Sequence, residues 1–187
     1  MPTRRYELSR RGLGCLVIAV MLAGHGAGHA DQDPARDSSA GHTTIFIVRH
    51  AEKSTDGDNP PLSAAGQARA RTLATMLRDS GVKHIFATEL VRTRETAAPV
   101  AKGLRLATKA LPARDVDGLV AELRRLPAGA VALVVHHSNT IPGIIGKLGG
   151  PPVAPLREQD YDRLFVVTFG AEGAARLATL RYGDRSD

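Results

Sequence analysis

The sequence predicts an α/β fold, a three-layer α/β/α sandwich around a mainly parallel sheet. Three observations lead there. The short runs "TTIFIV", "HIFAT" and "AVALVV" are rich in strand-favouring, apolar residues, as strands covered on both faces are. Between them lie longer segments with helical apolar spacing, bounded by capping residues and glycines. Strand and helix alternate along the chain, the order that a layered α/β domain requires.

The 187 residues suit one domain, but the first thirty stand apart from it. Arg4, Arg5, Arg10 and Arg11 are followed by the apolar run "LGCLVIAVMLAG" and then the small-residue stretch "HGAGHADQ". That is the order of a secretory signal peptide over residues 1–30, with cleavage after Ala30. A retained anchor is the alternative, and the apolar run is short for a membrane span. "SRRGLG" half-matches a twin-arginine signal. The expectation is therefore an exported protein, periplasmic or secreted, with no stable membrane insertion once the leader is removed. The leader holds four Arg and one Glu, so its removal lowers the net charge from +6 to +3. Trp is absent and no basic stripe is interleaved with aromatics, so nucleic acid is not an expected partner. The single cysteine, Cys15, lies in the leader, which leaves the rest of the chain without a thiol nucleophile, a disulfide or a cysteine metal site.

Residues 31–42, "DQDPARDSSAGH", are polar and small and predict a flexible arm, with the globular domain over 43–187. "TTIFIV" opens that domain as a buried strand, and "STDGDNPP" is a loop by its Asp, Gly, Asn and Pro content. Ser63 is placed to cap a helix reaching Asp79, with Leu73, Met76 and Leu77 on one face and Gly81 past its end. "HIFAT" is the next strand. "VRTRETAAPVAKGL" is a helix that Pro99 should distort or end early. "DGLVAELRRL" is a third helix and "AVALVV" a third buried strand. "SNTIPGIIGKLGG" fits a short helix with Pro in its first turns, and "RLFVVTF" and "AARLATLRY" a terminal hairpin.

Ligands in open α/β sheets bind beyond the carboxyl ends of the strands. Arg49-His50 follows the first strand, "TELVRTRET" the second and "HHSNT" the third, so three polar clusters converge on one sheet edge. In these clusters "VRHAE" resembles the Arg-His-Gly/Ala signature of the histidine phosphatase superfamily, the phosphoglycerate-mutase-like branch. "LSAAGQARA", "TELVRTRETA" and "VVHHSNTIP" are similar to three further segments of that family and come in family order. The resemblance runs from Thr43 to about Phe169.

The resemblance implies a phosphoglycerate-mutase-like fold and assigns roles. His50 would be the nucleophile that accepts the phosphoryl group, and Arg49, Arg92 and His137 would hold the phosphate oxygens. These residue types suit the chemistry. Phosphoryl transfer spreads negative charge over three oxygens, and positioned cations stabilise it. A guanidinium fork meets two oxygens at once, and a neutral imidazole is a competent nucleophile. Neither metal nor cofactor is expected. Arg92 is preferred to Arg94 because it takes the arginine position of the motif, and His137 to His136 on the same logic. The family usually has Gly where His136 stands. His136 either narrows the pocket or adds a donor to it, or points into the opposite layer by strand alternation. Asn139 either serves the phosphate or caps the next helix.

The leaving-group acid is the open position. Glu89 is the nearest carboxylate by motif, and it has two readings, proton donor or ion-pair partner orienting Arg92 or Arg49. Asp56, Asp58, Asp115 and Asp117 lie in loops that approach the same edge. "PPVAPLREQDYDR" is expected to form a loop beside the pocket, with Arg157 or Tyr161 in reach of a substrate. The implied function is a phosphatase acting on a small phosphorylated substrate or a phosphoprotein. The alternative is a phosphate-binding scaffold that has lost turnover.

Overall fold

The computed structural model describes residues 41–170 and 175–185. The expected signal peptide, residues 31–40 of the arm and residues 171–174 of the final hairpin's link lie outside the described residues. Ten elements follow in order: β1 (Thr43–Arg49), α1 (Ala64–Met76), β2 (His84–Thr88), α2 (Val91–Leu104), β3 (Thr108–Leu111), α3 (Val116–Arg124), β4 (Val131–His136), α4 (Ile141–Lys147), β5 (Arg163–Phe169) and β6 (Arg176–Arg181). The six strands form one sheet in the order β3-β2-β4-β1-β5-β6. β3, β2, β4 and β1 are mutually parallel, whereas β5 runs antiparallel to β1 and β6 antiparallel to β5.

Strand alternation divides the interior into two cores. Ile45 and Ile47 of β1 and Ala132 and Val134 of β4 face Leu119 and Leu123 of α3 and Ile141, Ile144 and Ile145 of α4. Val48, Leu133 and Val135 face the other way, onto Leu73 of α1 and Ala97 and Val100 of α2. A strand with both faces covered must be apolar at every position, which explains the continuous runs in β1 and β4. The result is the expected three-layer α/β/α sandwich. Among the described residues, no helix is long and apolar enough to cross a membrane.

Four local expectations are corrected. β3, "TKAL", was not anticipated, because a four-residue edge strand with exposed Lys109 and Ala110 lacks an apolar run and is held through β2 alone. α2 continues past Pro99 to Leu104, since Thr96, Ala97 and Val100 stay buried against the sheet and outweigh the missing N–H. α1 stops at Met76 rather than Asp79, and Met76 is exposed while Leu73 and Leu77 are buried. Its buried face is continued instead by Gly66, Arg69 and Ala70. The N-cap of α4 is Thr140, not Asn139.

The start of α1 is fitted closely to the chain just after β1. Ser63 accepts from Gly66 N–H, and its own backbone N–H donates to Glu52 O at 2.9 Å. A Cβ built on Gly66 would lie 2.1 Å from that same Glu52 carbonyl oxygen. Gly66→Ala must therefore push α1 away from the segment two residues beyond His50, and a loss of about 1–3 kcal/mol or more is expected in urea unfolding. Gly103→Ala, near the end of α2 with nothing within 4 Å, should instead stabilise by about 0.5–1 kcal/mol. Equal effects at the two glycines would show that the Glu52 contact does not constrain α1.

Candidate phosphate-binding active site

The parallel strands β1, β2 and β4 end on one edge, and their following residues line a cavity of about 510 Å³. Arg49 and His50 come from the end of β1, Leu90 and Arg92 from the β2–α2 junction, and His137, Ser138, Asn139 and Thr140 from the turn after β4. Lys53, Ala113, Arg114, Val116 and Glu158 complete the wall.

β1 is extended by one further ladder bond, His50 N–H to His136 O at 2.9 Å, so the nucleophile candidate is carried on rigid sheet. His50 is 4% exposed, and its Nδ1 lies 2.8 Å from Ala51 O. A carbonyl only accepts, so Nδ1 carries the proton and Nε2 keeps its lone pair. Burial is the main reason the His50 pKa falls to about 4; the Ala51 bond opposes the fall, and the charges of Arg49, Arg92 and Lys53 add to it. The ring is therefore neutral at pH 7.

α2 is registered to the chain beside His50 through Thr96. Its Oγ1 accepts Ala51 N–H at 2.9 Å and donates to Arg92 O at 2.7 Å. Asn59 of the preceding loop accepts Val91 N–H at 3.0 Å and caps the helix that carries Arg92. Arg94 faces outward, as expected, and lines a separate groove with Val91 and Thr108. Arg49 and Arg92 each have a buried Nε without a hydrogen-bond partner among the described residues.

His137 sits with its ring centroid 5.4 Å from that of His50, tethered by Thr88 Oγ1 at 3.2 Å from Nε2. Burial first, then neighbouring His136, His50, Arg92 and Arg49, lowers its pKa to about 3. His136 is absent from the cavity wall. It lies among Phe86, Leu111, Leu119 and Val134 in the α3–α4 layer, its Nδ1 2.6 Å from Thr140 Oγ1. Alternation along β4 thus separates the paired histidines.

The carboxylates are arranged differently from the sequence expectation. Glu89 does not line the cavity; its carboxylate accepts Ala113 N–H at 2.7 Å. Burial and the Arg49 charge work against the Arg92 cation, and Glu89 supports it through space. Asp115 caps α3 at Gly118 N–H, and Asp117 pairs with Lys147. Among the described residues the one carboxylate in the wall is Glu158, 77% exposed, with Oε1 3.4 Å from Arg49 Nη2. No local signal in the sequence marked Glu158 or Arg114. Glu52, two residues after His50, is held by buried Arg69 at 2.7 Å, and Arg69 also donates to Tyr182 O and Asp184 O. That pairing was also invisible locally, because seventeen residues separate the partners. No group of three or more His, Cys, Asp or Glu side chains fit to hold a metal occurs among the described residues.

The parallel-sheet edge thus brings a neutral histidine and two arginines into one cavity of an α/β protein. The family model of the histidine phosphatase superfamily (branch 1) matches residues 45–119, which include the Arg49-His50 pair and Arg92. Over that stretch the chain is similar to the superfamily. A PE-PGRS family protein, PE_PGRS11 of Mycobacterium tuberculosis, is 35% identical over 124 residues, covering 60% of this chain and 20% of that protein. The "Probable phosphoglycerate mutase GpmB" of Escherichia coli O1:K1 / APEC is 32% identical over 65 residues, 31% of this chain and 30% of that protein. The chain thus matches less than a third of these relatives' length. Among solved structures, the protein histidine phosphatase SixA complexed with tungstate superposes with a TM-score of 0.61 at 21% identity, over 74% of this chain and 96% of that one. The mycobacterial glucosyl-3-phosphoglycerate phosphatase superposes with a TM-score of 0.59 at 14% identity, over 75% and 98%. At these identities the likeness is one of fold.

Proposed function

We propose that the protein is a metal-independent phosphatase working through a phosphohistidine intermediate on His50. The observation that carries this reading is the state of His50: neutral at pH 7, its Nδ1 proton committed to Ala51 O, its Nε2 free, in a cavity with Arg49 and Arg92. The Nε2 lone pair attacks phosphorus, and the bond from phosphorus to the leaving group breaks, its electron pair going with that group. Water then attacks the phosphohistidine, the N–P bond breaks, and inorganic phosphate leaves with His50 restored. Arg49, Arg92 and His137 surround the equatorial oxygens, where charge collects in both steps. Asn139 lines the same cavity without capping α4, which supports its phosphate reading over its capping one.

Glu158 is exposed and paired with Arg49, and Glu89 is committed to Ala113, so no wall carboxylate is held as a dedicated acid. The substrates that suit such a site have leaving groups needing little protonation, such as phosphohistidine and aryl phosphates. A small aryl phosphate and a protein carrying phosphohistidine both meet that condition. The leader over residues 1–30 would direct this activity out of the cytoplasm.

The test is hydrolysis of p-nitrophenyl phosphate in excess chelator, with rapid acid-free quenching to trap labelled phosphoprotein. Turnover with a base-stable, acid-labile label is the expected result. Chelator-sensitive turnover would overturn the metal-independent mechanism, and phosphate binding with neither turnover nor label would favour the scaffold.

A further inference from the structure

The segment Arg157–Tyr161 contributes more to the cavity than a wall. Arg49 Nη1 donates to the backbone carbonyls of both Arg157, at 3.0 Å, and Glu158. The guanidinium carbon lies 4.2 Å over the Tyr161 ring centroid, and Nη2 is 3.4 Å from the Tyr161 hydroxyl. One edge and one face of Arg49 are thereby used up by a segment 108 to 112 residues away in the chain. That segment is shaped by Asp160, whose side chain is 1% exposed. Its carboxylate accepts Arg157 N–H at 2.8 Å and Arg157 Nε and Nη2 at 3.1 and 2.9 Å. Arg163 Nη2 lies 3.6 Å away, and Asp160 N–H donates back to Arg157 O at 3.1 Å. A buried carboxylate closing a tight turn fixes where the two carbonyls point.

We propose that Asp160 is a positioning residue: through the Arg157–Glu158 carbonyls and Tyr161, it sets the angle at which Arg49 meets the phosphate. The inference rests on the reading of Arg49 as a phosphate ligand. Guanidinium–phosphate recognition depends on orientation, because the fork is planar and its donors diverge at fixed angles. Arg49 has rotatable bonds of its own, and without the turn its head group has no fixed partner on that side. Loss of Asp160 therefore loosens Arg49 rather than removing a charge from the cavity.

The test is a double-mutant cycle on the full chain, read by calorimetric binding of inorganic phosphate and by kcat/KM for p-nitrophenyl phosphate. Asp160→Ala should weaken phosphate binding and lower kcat/KM by about 10- to 100-fold. In an Arg49→Ala background the same change should cost less than about twofold, because the group it acts through is gone. Tyr161→Leu, which keeps the turn but removes the ring beneath Arg49, should show the same coupling with a smaller effect, and it serves if Asp160→Ala does not fold. Equal losses with and without Arg49, or a lowered unfolding midpoint with unchanged phosphate affinity, would overturn the proposal and leave the turn a purely structural feature. Phosphate binding that shows the coupling without any turnover would uphold it while sinking the phosphatase reading.

Discussion

His50→Ala is expected to lower turnover of p-nitrophenyl phosphate by at least about 10³-fold and to abolish the phosphoprotein label. The size follows from what is lost. Alanine has no lone pair to attack phosphorus, so the two-step route closes and only direct attack by water remains. The cations stay: Arg92 is held on α2 by the Asn59 cap, and Arg49 by the Arg157–Tyr161 turn. Inorganic phosphate should accordingly still bind within a few-fold of the unaltered protein. Retained turnover, or a label that persists in the variant, would assign the nucleophile elsewhere, and His137, 5.4 Å away between ring centroids, would be the next candidate.

Acid should destabilise the protein well before its carboxylates titrate. In the unfolded chain histidines take up a proton near pH 6.5. In the folded protein burial holds His50 and His136 neutral down to about pH 4 and His137 down to about pH 3. The unfolded state therefore binds more protons throughout the interval from about 6.5 to 4, and stability falls as the pH falls through it. One such histidine corresponds to on the order of 3 kcal/mol between pH 7 and pH 4. The three rings are neighbours, with centroid distances of 5.4 and 5.2 Å, so their contributions interact and do not simply add. Urea unfolding in phosphate-free buffer should show a loss of several kcal/mol from pH 7 to pH 4.5. His136→Gln should make that slope shallower, since His136 sits in the core layer, away from the cavity cations. A flat profile over that range would mean that the site histidines are already protonated at neutral pH or are not desolvated, and it would remove the basis for His50 as a neutral nucleophile.

How far the site was legible depended on the range of the interaction that forms each part. β1 and β4 announce themselves as apolar runs because both of their faces are covered, a condition on every residue of the run. α1 and α2 were readable for similar reasons, through the Ser63 cap and the helical spacing of buried positions. Arg49, His50, Arg92, His137 and Asn139 could be singled out because they follow strands that end on one edge and stand in motif order. All five line the cavity. Glu89 was singled out in the same way and does not line it, since a side chain's direction from a loop is set by its partner, here Ala113 N–H.

The sequence by itself determined the layered α/β class, the identity of most elements and the residues that gather at the strand ends, because local periodicity, capping and motif spacing report what each segment needs from its surroundings. Only the tertiary structure decided the edge strand β3, the continuation of α2 through Pro99 and the hold of the Arg157–Tyr161 turn on Arg49. Each of these rests on a contact between segments far apart in the chain. Such contacts leave no periodic trace, because what stabilises them is the burial or pairing of one specific side chain against a surface that exists only once the sheet has formed.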